Sequence, residues 1–136
     1  MHRRLTRGFT LLELLVVLVI LGLLASYVAP RYFNQIGRSE IQVAKAQMDA
    51  FAKALDQYRL DTGRFPTAEQ GLAALFRNPD NNQRWAGPYL RKEAPLDPWG
   101  RPYVYRSPAA NADYELMSLG KDGLVGGAGE NADIRN

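Results

Sequence analysis

From Phe9 to Ala29 nearly every residue is Leu, Val or Ile, with no alternation of apolar and polar faces. Roughly 20 such residues in a helix extend about 30 Å, the thickness of a bilayer's hydrocarbon core. The segment is long enough to span a membrane once, and no second stretch of this kind follows. Beyond Pro30 the pattern changes. Ile41, Ala44, Met48, Phe51, Leu55 and Tyr58 succeed one another by alternating steps of four and three, while Lys45, Asp49, Lys53, Asp56 and Arg59 fall on other faces. That spacing predicts an amphipathic helix lying on a folded body. A coiled-coil seam is the alternative, although only about two heptads are sustained.

Asp61-Thr62-Gly63-Arg64-Phe65-Pro66 supplies turn formers and a proline that end this helix. Thr67 with Gln70 three residues on has capping-box spacing, predicting a short helix that buries Leu72, Leu75 and Phe76. Asn78 to Asn82 reads as a loop. Tyr103-Val104-Tyr105 and Tyr114 to Ser118 are short strand candidates separated by Ser107-Pro108-Ala109-Ala110-Asn111, and together they predict a small antiparallel sheet. Asp97-Pro98-Trp99-Gly100 is a rigid turn whose indole is expected to plug the sheet against the helix. The expected fold is α+β, with a long N-terminal helix, first apolar and then amphipathic, packed on a small antiparallel β-sheet head in the form of a lollipop.

Composition narrows the chemistry. With 46% hydrophobic and 23% charged residues among 136, the chain has the make-up of a folding protein. Its net charge of +3 comes from Arg3, Arg4 and Arg7, without which basic and acidic residues balance. The basic character therefore belongs to an N-terminal tag and gives no support to nucleic-acid binding; flanking an apolar segment, it acts as a topology signal that stays cytoplasmic. There is no cysteine, and the only histidine is His2. Thiol nucleophiles, disulfides, serine–histidine pairs and zinc sites built on His or Cys are excluded. Carboxylates are the remaining acid–base groups, and Glu69, Asp80 and Asp97 show no catalytic spacing, so the chain is not expected to be an enzyme.

Arg7-Gly8-Phe9-Thr10-Leu11-Leu12-Glu13, ahead of the apolar stretch, resembles the class III signal of type IV pilin-like proteins. An ordinary secretory signal is the alternative, with small residues from Leu24-Ala25-Ser26 to Ala29, but a carboxylate at Glu13 is costly in such a segment. The resemblance implies that a dedicated peptidase and methyltransferase cuts between Gly8 and Phe9 and methylates Phe9. The new ammonium at Phe9 would lie four positions from Glu13, a counter-ion within the chain or from a staggered neighbour, which assigns Glu13 to assembly. Gly22, a weak helix former, and Pro30, which lacks an amide hydrogen, bracket a stretch expected to stay helical in the isolated subunit and to unwind locally in a filament.

The rest of the chain narrows the family. Tyr58-Arg59-Leu60-Asp61, Phe65-Pro66, Glu69-Gln70-Gly71-Leu72, Tyr89-Leu90-Arg91-Lys92, Pro95-Leu96-Asp97-Pro98-Trp99-Gly100 and Ser118-Leu119-Gly120-Lys121-Asp122-Gly123 occur in the order found in the major pseudopilins of type II secretion systems. That resemblance implies a leader over 1–8, a transmembrane and filament-core helix over 9–29, an amphipathic helix over 30–60 and a periplasmic α/β head over 61–136. It implies a structural subunit, anchored by a single pass in the bacterial inner membrane, that polymerises into a periplasmic pseudopilus and helps to push folded exoproteins through an outer-membrane secretin. Its implied partners are further copies of itself, minor pseudopilins, the prepilin peptidase, an inner-membrane assembly platform, that platform's cytoplasmic ATPase, the secretin and the exoproteins. The chain carries no phosphate-binding Gly-Lys-Ser or Gly-Lys-Thr, as suits a passive subunit.

The segment from Leu119 to Asp133 resembles the family's calcium loop. By that resemblance Asp122 and Asp133 are side-chain ligands, and the carbonyls of Leu119 and Leu124 are backbone ligands. Asn131 offers a neutral oxygen next to Ala132, where the family often has a further Asp. A mobile, solvated tail is the alternative. A type IV pilin is the second reading of function, disfavoured by the absence of a C-terminal cysteine pair; a membrane-tethered periplasmic binding module or enzyme is the third.

Overall fold

The computed structural model describes residues 8–136. His2, Arg3, Arg4 and Arg7 of the expected leader lie outside the described residues. The first element, α1, is an α-helix over Leu11–Thr62 with Pro30 inside it. The chain divides into two compact units, Met1–Ile36 and Gly37–Asn136.

In the described part of the first unit, 8–36, the apolar side chains of α1 are exposed all round, from Leu11 through Leu24 to Val28 and Phe33. Its length and composition suffice to cross a membrane. Arg31 stacks its guanidinium 4.7 Å from the centre of the Tyr27 ring.

The second unit holds the core. Ala44, Met48, Phe51, Leu55 and Tyr58 of α1 are buried, and Ile41 packs beside them half-buried. The same steps of four and three reach Gly37 before the stripe and Thr62 after it, both buried. Against this face lie Leu72, Ala74 and Leu75 of a 3₁₀ helix over Gly71–Leu75, together with Tyr103, Leu116 and Ile134. Phe51 meets Tyr103 edge to face at 5.1 Å. Full burial of Phe51, Leu55, Tyr58, Leu75 and Leu116 stabilises the unit by about 1.5–3 kcal/mol for each side chain.

The capping box forms as its spacing predicts. The Thr67 amide donates to Gln70 Oε1 at 3.0 Å, and the Gln70 amide donates to Thr67 Oγ1 at 3.2 Å. It opens a 3₁₀ helix rather than an α-helix, since Gly71 takes φ 58°. Leu72 and Leu75 are buried as expected, whereas Phe76 stays half-buried at the C-cap.

Strands β1 (Val104–Arg106) and β2 (Glu115–Ser118) pair antiparallel, with Val104 opposite Met117 and Arg106 opposite Glu115. A third strand absent from the sequence reading, β3 (Ile134–Arg135), pairs antiparallel with β2, setting Ser118 opposite Ile134. The sheet order is β1-β2-β3. The C-terminus thus closes the sheet: the Asn136 amide donates to Leu116 O at 3.2 Å, and the Leu116 amide donates to Asn136 Oδ1 at 2.9 Å. Trp99 packs half-buried on the core and donates its indole N–H to Glu40 Oε2 at 3.0 Å.

Candidate processing, assembly and cation-binding sites

Gly8 and Phe9 precede α1 in non-helical backbone, both exposed, and no neighbour lies within 4 Å of where a Gly8 side chain would begin. The peptide bond between them is therefore uncovered in this structure. Thr10 follows at the N-cap position. Its amide donates to Glu13 Oε2 at 2.9 Å, its hydroxyl lies 3.1 Å from the same oxygen, and the Glu13 amide donates to Thr10 Oγ1 at 3.2 Å. This is a second capping box, one the sequence reading did not find although Thr-x-x-Glu is its signature. Glu13 therefore satisfies a backbone amide at the helix start in the uncut chain. The box holds the carboxylate near the position where cleavage would create an ammonium.

Gly22 and Pro30 lie within unbroken helix. Pro30 has no N–H, so the carbonyl of Ser26 lacks its usual donor. The Ser26 hydroxyl turns back instead to donate to Leu23 O at 2.7 Å.

The C-terminal loop is built from glycines and wired at both ends. Gly120 (φ 67°) and Gly127 (φ 86°) sit in the left-handed region, and a side chain on either would collide with the carbonyl of Ala132 or Asn131 at 2.8 and 2.4 Å. The two limbs of the loop pass at backbone contact, which only glycine permits there. Arg101 Nη1 donates to Gly120 O at 3.2 Å and to Lys121 O at 2.8 Å. Buried Asp97, 4% exposed, accepts from the Ser118 hydroxyl at 2.7 Å and from the amides of Trp99 and Arg101 at 3.1 and 2.8 Å. Ser118 Oγ in turn accepts from the Gly120 amide at 3.3 Å. Asp97 thereby ties the Asp-Pro-Trp-Gly turn to the base of the loop.

The expected ligands fall into this frame unequally. Asp122 is exposed and accepts from the Leu124 amide at 3.0 Å. Asp133 accepts on Oδ2 from the Gly126 amide at 3.0 Å and from Arg135 at 3.1 Å, and these contacts hold its carboxyl below the usual range. Its other oxygen, Oδ1, is buried without a hydrogen-bond partner. A buried carboxylate oxygen lacking a donor is what a cation would complete. Leu119 is half-buried, Leu124 is exposed, and exposed Asn131 ends a 3₁₀ turn over Gly129–Asn131. Among the described residues no three His, Cys, Asp or Glu side chains converge as a metal cluster. A cation here would need two carboxylates, carbonyls and water, as hard-cation chemistry allows.

An open groove on the second unit, about 810 Å³, is lined by Ala50, Lys53, Ala54, Asp61, Tyr89 and Arg91 among others.

Two family descriptions tile the sequence: the prokaryotic N-terminal methylation motif matches residues 3–29, and type II secretion system (T2SS), protein G matches residues 31–136. A type II secretion system core protein G of Pseudomonas aeruginosa is 43% identical over 139 aligned residues, covering 100% of this chain and 98% of the relative. Its counterpart in Vibrio cholerae is 45% identical, covering 95% and 90%. The crystal structure of the major pseudopilin from the type 2 secretion system of enterohaemorrhagic Escherichia coli is similar with a TM-score of 0.62 and 35% identity, covering 76% of this chain and 91% of that one. With both segments of the sequence matched and the pseudopilin fold present, this chain belongs to the type II secretion system protein G family.

Proposed function

We infer that this chain is a structural subunit of a type II secretion pseudopilus, a filament that helps to push folded exoproteins through an outer-membrane secretin. The observation that carries this reading is the tiling of one sequence by a methylation motif and a protein G match. The subunit waits in the inner membrane through its single apolar helix, with its head in the periplasm. The leader peptidase cuts between Gly8 and Phe9, and the new terminus is methylated. A platform and its cytoplasmic ATPase then draw subunits into the polymer, which minor pseudopilins join. The subunit itself contributes packing rather than catalysis.

Physical chemistry supports the membrane and assembly steps. Apolar side chains exposed all round α1 in 8–36 can be covered by lipid or by neighbouring helices, which are similarly apolar. Selective attraction then falls to charge: the Phe9 ammonium of one subunit and Glu13 of another remove one another's cost in a medium without water. The carbonyl freed at Ser26 makes the stretch from Gly22 to Pro30 the least costly place for the helix to open among packed neighbours.

Calcium is the proposed ligand of the loop, with Asp122 and Asp133 as carboxylates, the carbonyls of Leu119 and Leu124, and Asn131 as a neutral oxygen. Its double charge would complete Asp133 Oδ1 and close a unit that has no disulfide.

Glu13→Ala in the secreting bacterium tests the assembly reading. The variant should insert into the membrane normally and form no pseudopilus by electron microscopy when overproduced; normal filaments would overturn the role given to Glu13.

A further inference from the structure

Gly37 opens the second unit and is buried, yet it sits in the middle of a helix, where glycine is a poor choice. Its lack of a side chain has a specific occupant. A Cβ on Gly37 would fall 1.6 Å from Glu130 Oε1 and 2.3 Å from Glu130 Cδ, so the carboxylate of Glu130 rests directly on the helix backbone. Glu130 comes from the 3₁₀ turn of the C-terminal loop. Its other oxygen, Oε2, accepts from Lys121 Nζ at 2.7 Å, while the Lys121 amide donates to Glu130 O at 2.9 Å. These contacts join the two limbs of the loop on either side of Asp122 and bring both to one notch in α1. One turn further along the helix, Glu40 receives the indole N–H of Trp99.

We propose that Gly37 and Glu130 form a notch and peg that fix the C-terminal loop to α1, and that Glu130 is thereby a positioning residue for the loop's divalent-cation site. The second clause rests on the calcium reading above; the first does not. Asp122 directly follows Lys121 and Asp133 lies three residues after Glu130, so clamping the Lys121–Glu130 pair reduces the freedom a cation would otherwise have to remove. Coupling of this kind is reciprocal: a cation that orders the loop also protects the helix around Gly37, and a peg seated in the notch raises cation affinity.

Helix propensity and the notch make opposite demands at one position. Gly37→Ala should strengthen an ordinary helix. Here the added methyl group displaces a flexible carboxylate, so the helix survives and the peg is lost.

The full chain in detergent, as wild type, Gly37→Ala, Glu130→Ala, Glu130→Gln and the Gly37→Ala/Glu130→Ala double variant, tests this with hydrogen exchange and calcium titration. Exchange of amides over 37–44 and 119–133, measured without calcium, should accelerate about tenfold in both alanine variants. The double variant should be no worse than Glu130→Ala, and Glu130→Gln, which keeps the peg's length and its acceptor oxygen, should restore most of the protection. Calcium affinity should fall at least about fivefold in each alanine variant and recover in Glu130→Gln. Unchanged or slower exchange in Gly37→Ala would overturn the notch. A wild type that binds calcium and variants that bind it equally well would overturn the positioning role alone. A wild type that binds no calcium would remove the calcium reading and that role together, leaving the notch to be decided by exchange.

Discussion

Replacing Asp97 by alanine should be the most damaging polar substitution in the second unit. The carboxylate is almost entirely buried and accepts three hydrogen bonds, from Ser118 Oγ and from the amides of Trp99 and Arg101. Ser118 is fully buried, so its hydroxyl cannot turn to water; the two amides are partly buried and recover some hydration. A hydrogen bond to a charged group is worth about 1.5–3 kcal/mol net, and discounting the two amides gives a loss of about 3–5 kcal/mol. Against a typical domain stability of about 5–15 kcal/mol that is a large fraction. Asp97→Asn keeps an acceptor oxygen for the two amides, and Ser118 can rotate its hydroxyl to accept from the new NH₂, so its cost should be near 1 kcal/mol. Urea unfolding of the detergent-solubilised chain, followed by the fluorescence of Trp85 and Trp99, reads both variants, and equal midpoint slopes would license the comparison. An alanine loss below about 1 kcal/mol, or an asparagine loss equal to it, would refute the claim that this carboxylate ties the turn to the loop.

Intact-mass measurement of membrane-extracted protein should show loss of residues 1–8 with one added methyl group, whereas a terminus near Tyr27 or Pro30 would establish an ordinary secretory signal. Alkali should unfold the second unit: burial, with a smaller contribution from Asp97, pushes the Tyr103 phenol from 10.0 to about 12. A raised folded-state value means that stability is fully present below pH 10 and is lost as the pH climbs to 12, by about 2–3 kcal/mol for this residue, so the difference in 295 nm absorbance between wild type and Tyr103→Phe should rise together with unfolding rather than before it. Calcium in excess should raise the melting temperature of the full chain by several degrees and a chelator should reverse it, with Asp122→Ala and Asp133→Ala abolishing the difference; no shift at several millimolar would favour a loop held by its hydrogen bonds alone.

The amphipathic half of α1 was legible because its steps of four and three are carried by large apolar residues. The same stripe continues to Gly37 and Thr62, which no hydrophobic pattern reveals because one has no side chain and the other has a hydroxyl. Thr62 is buried by donating back to Tyr58 O at 2.7 Å, and Gly37 by admitting Glu130. Strand β3 escaped for a related reason. Two residues give no alternation, and Ile134 becomes a strand residue only because Ser118 lies opposite. The Thr10–Glu13 box has the same spacing as Thr67 and Gln70, and the same carboxylate also suits a counter-ion to an ammonium at Phe9, so residue type alone does not single out the cap. In the loop, the glycines and the two aspartates were visible as residue types. The setting of Asp133, one oxygen orphaned and the other held by Gly126 and Arg135, and the reach of Arg101 to the carbonyls of Gly120 and Lys121 are contacts made only in space.

The two regimes of α1 answer to different physical requirements. Over 37–62 the helix needs one apolar face because the rest of its unit covers that face. From Leu11 to Ala29 it is apolar on nearly every side, and its large side chains there are exposed. Such a sequence is stable only where its surroundings supply the cover, and both lipid tails and other copies of the helix can do so at similar cost per side chain. Exchange between the two surroundings is then decided by the few groups that lipid cannot satisfy. In this segment those groups include the Glu13 carboxylate and the Ser26 carbonyl deprived of a donor by Pro30. A subunit that must rest in a membrane and leave it for a polymer gains from having few of them. Each retained polar group raises the cost of lipid more than the cost of a packed neighbour that brings a partner. The near-uniform run of Leu, Val and Ile makes transfer between the two surroundings nearly neutral, and under the assembly role proposed above Glu13 would give it direction.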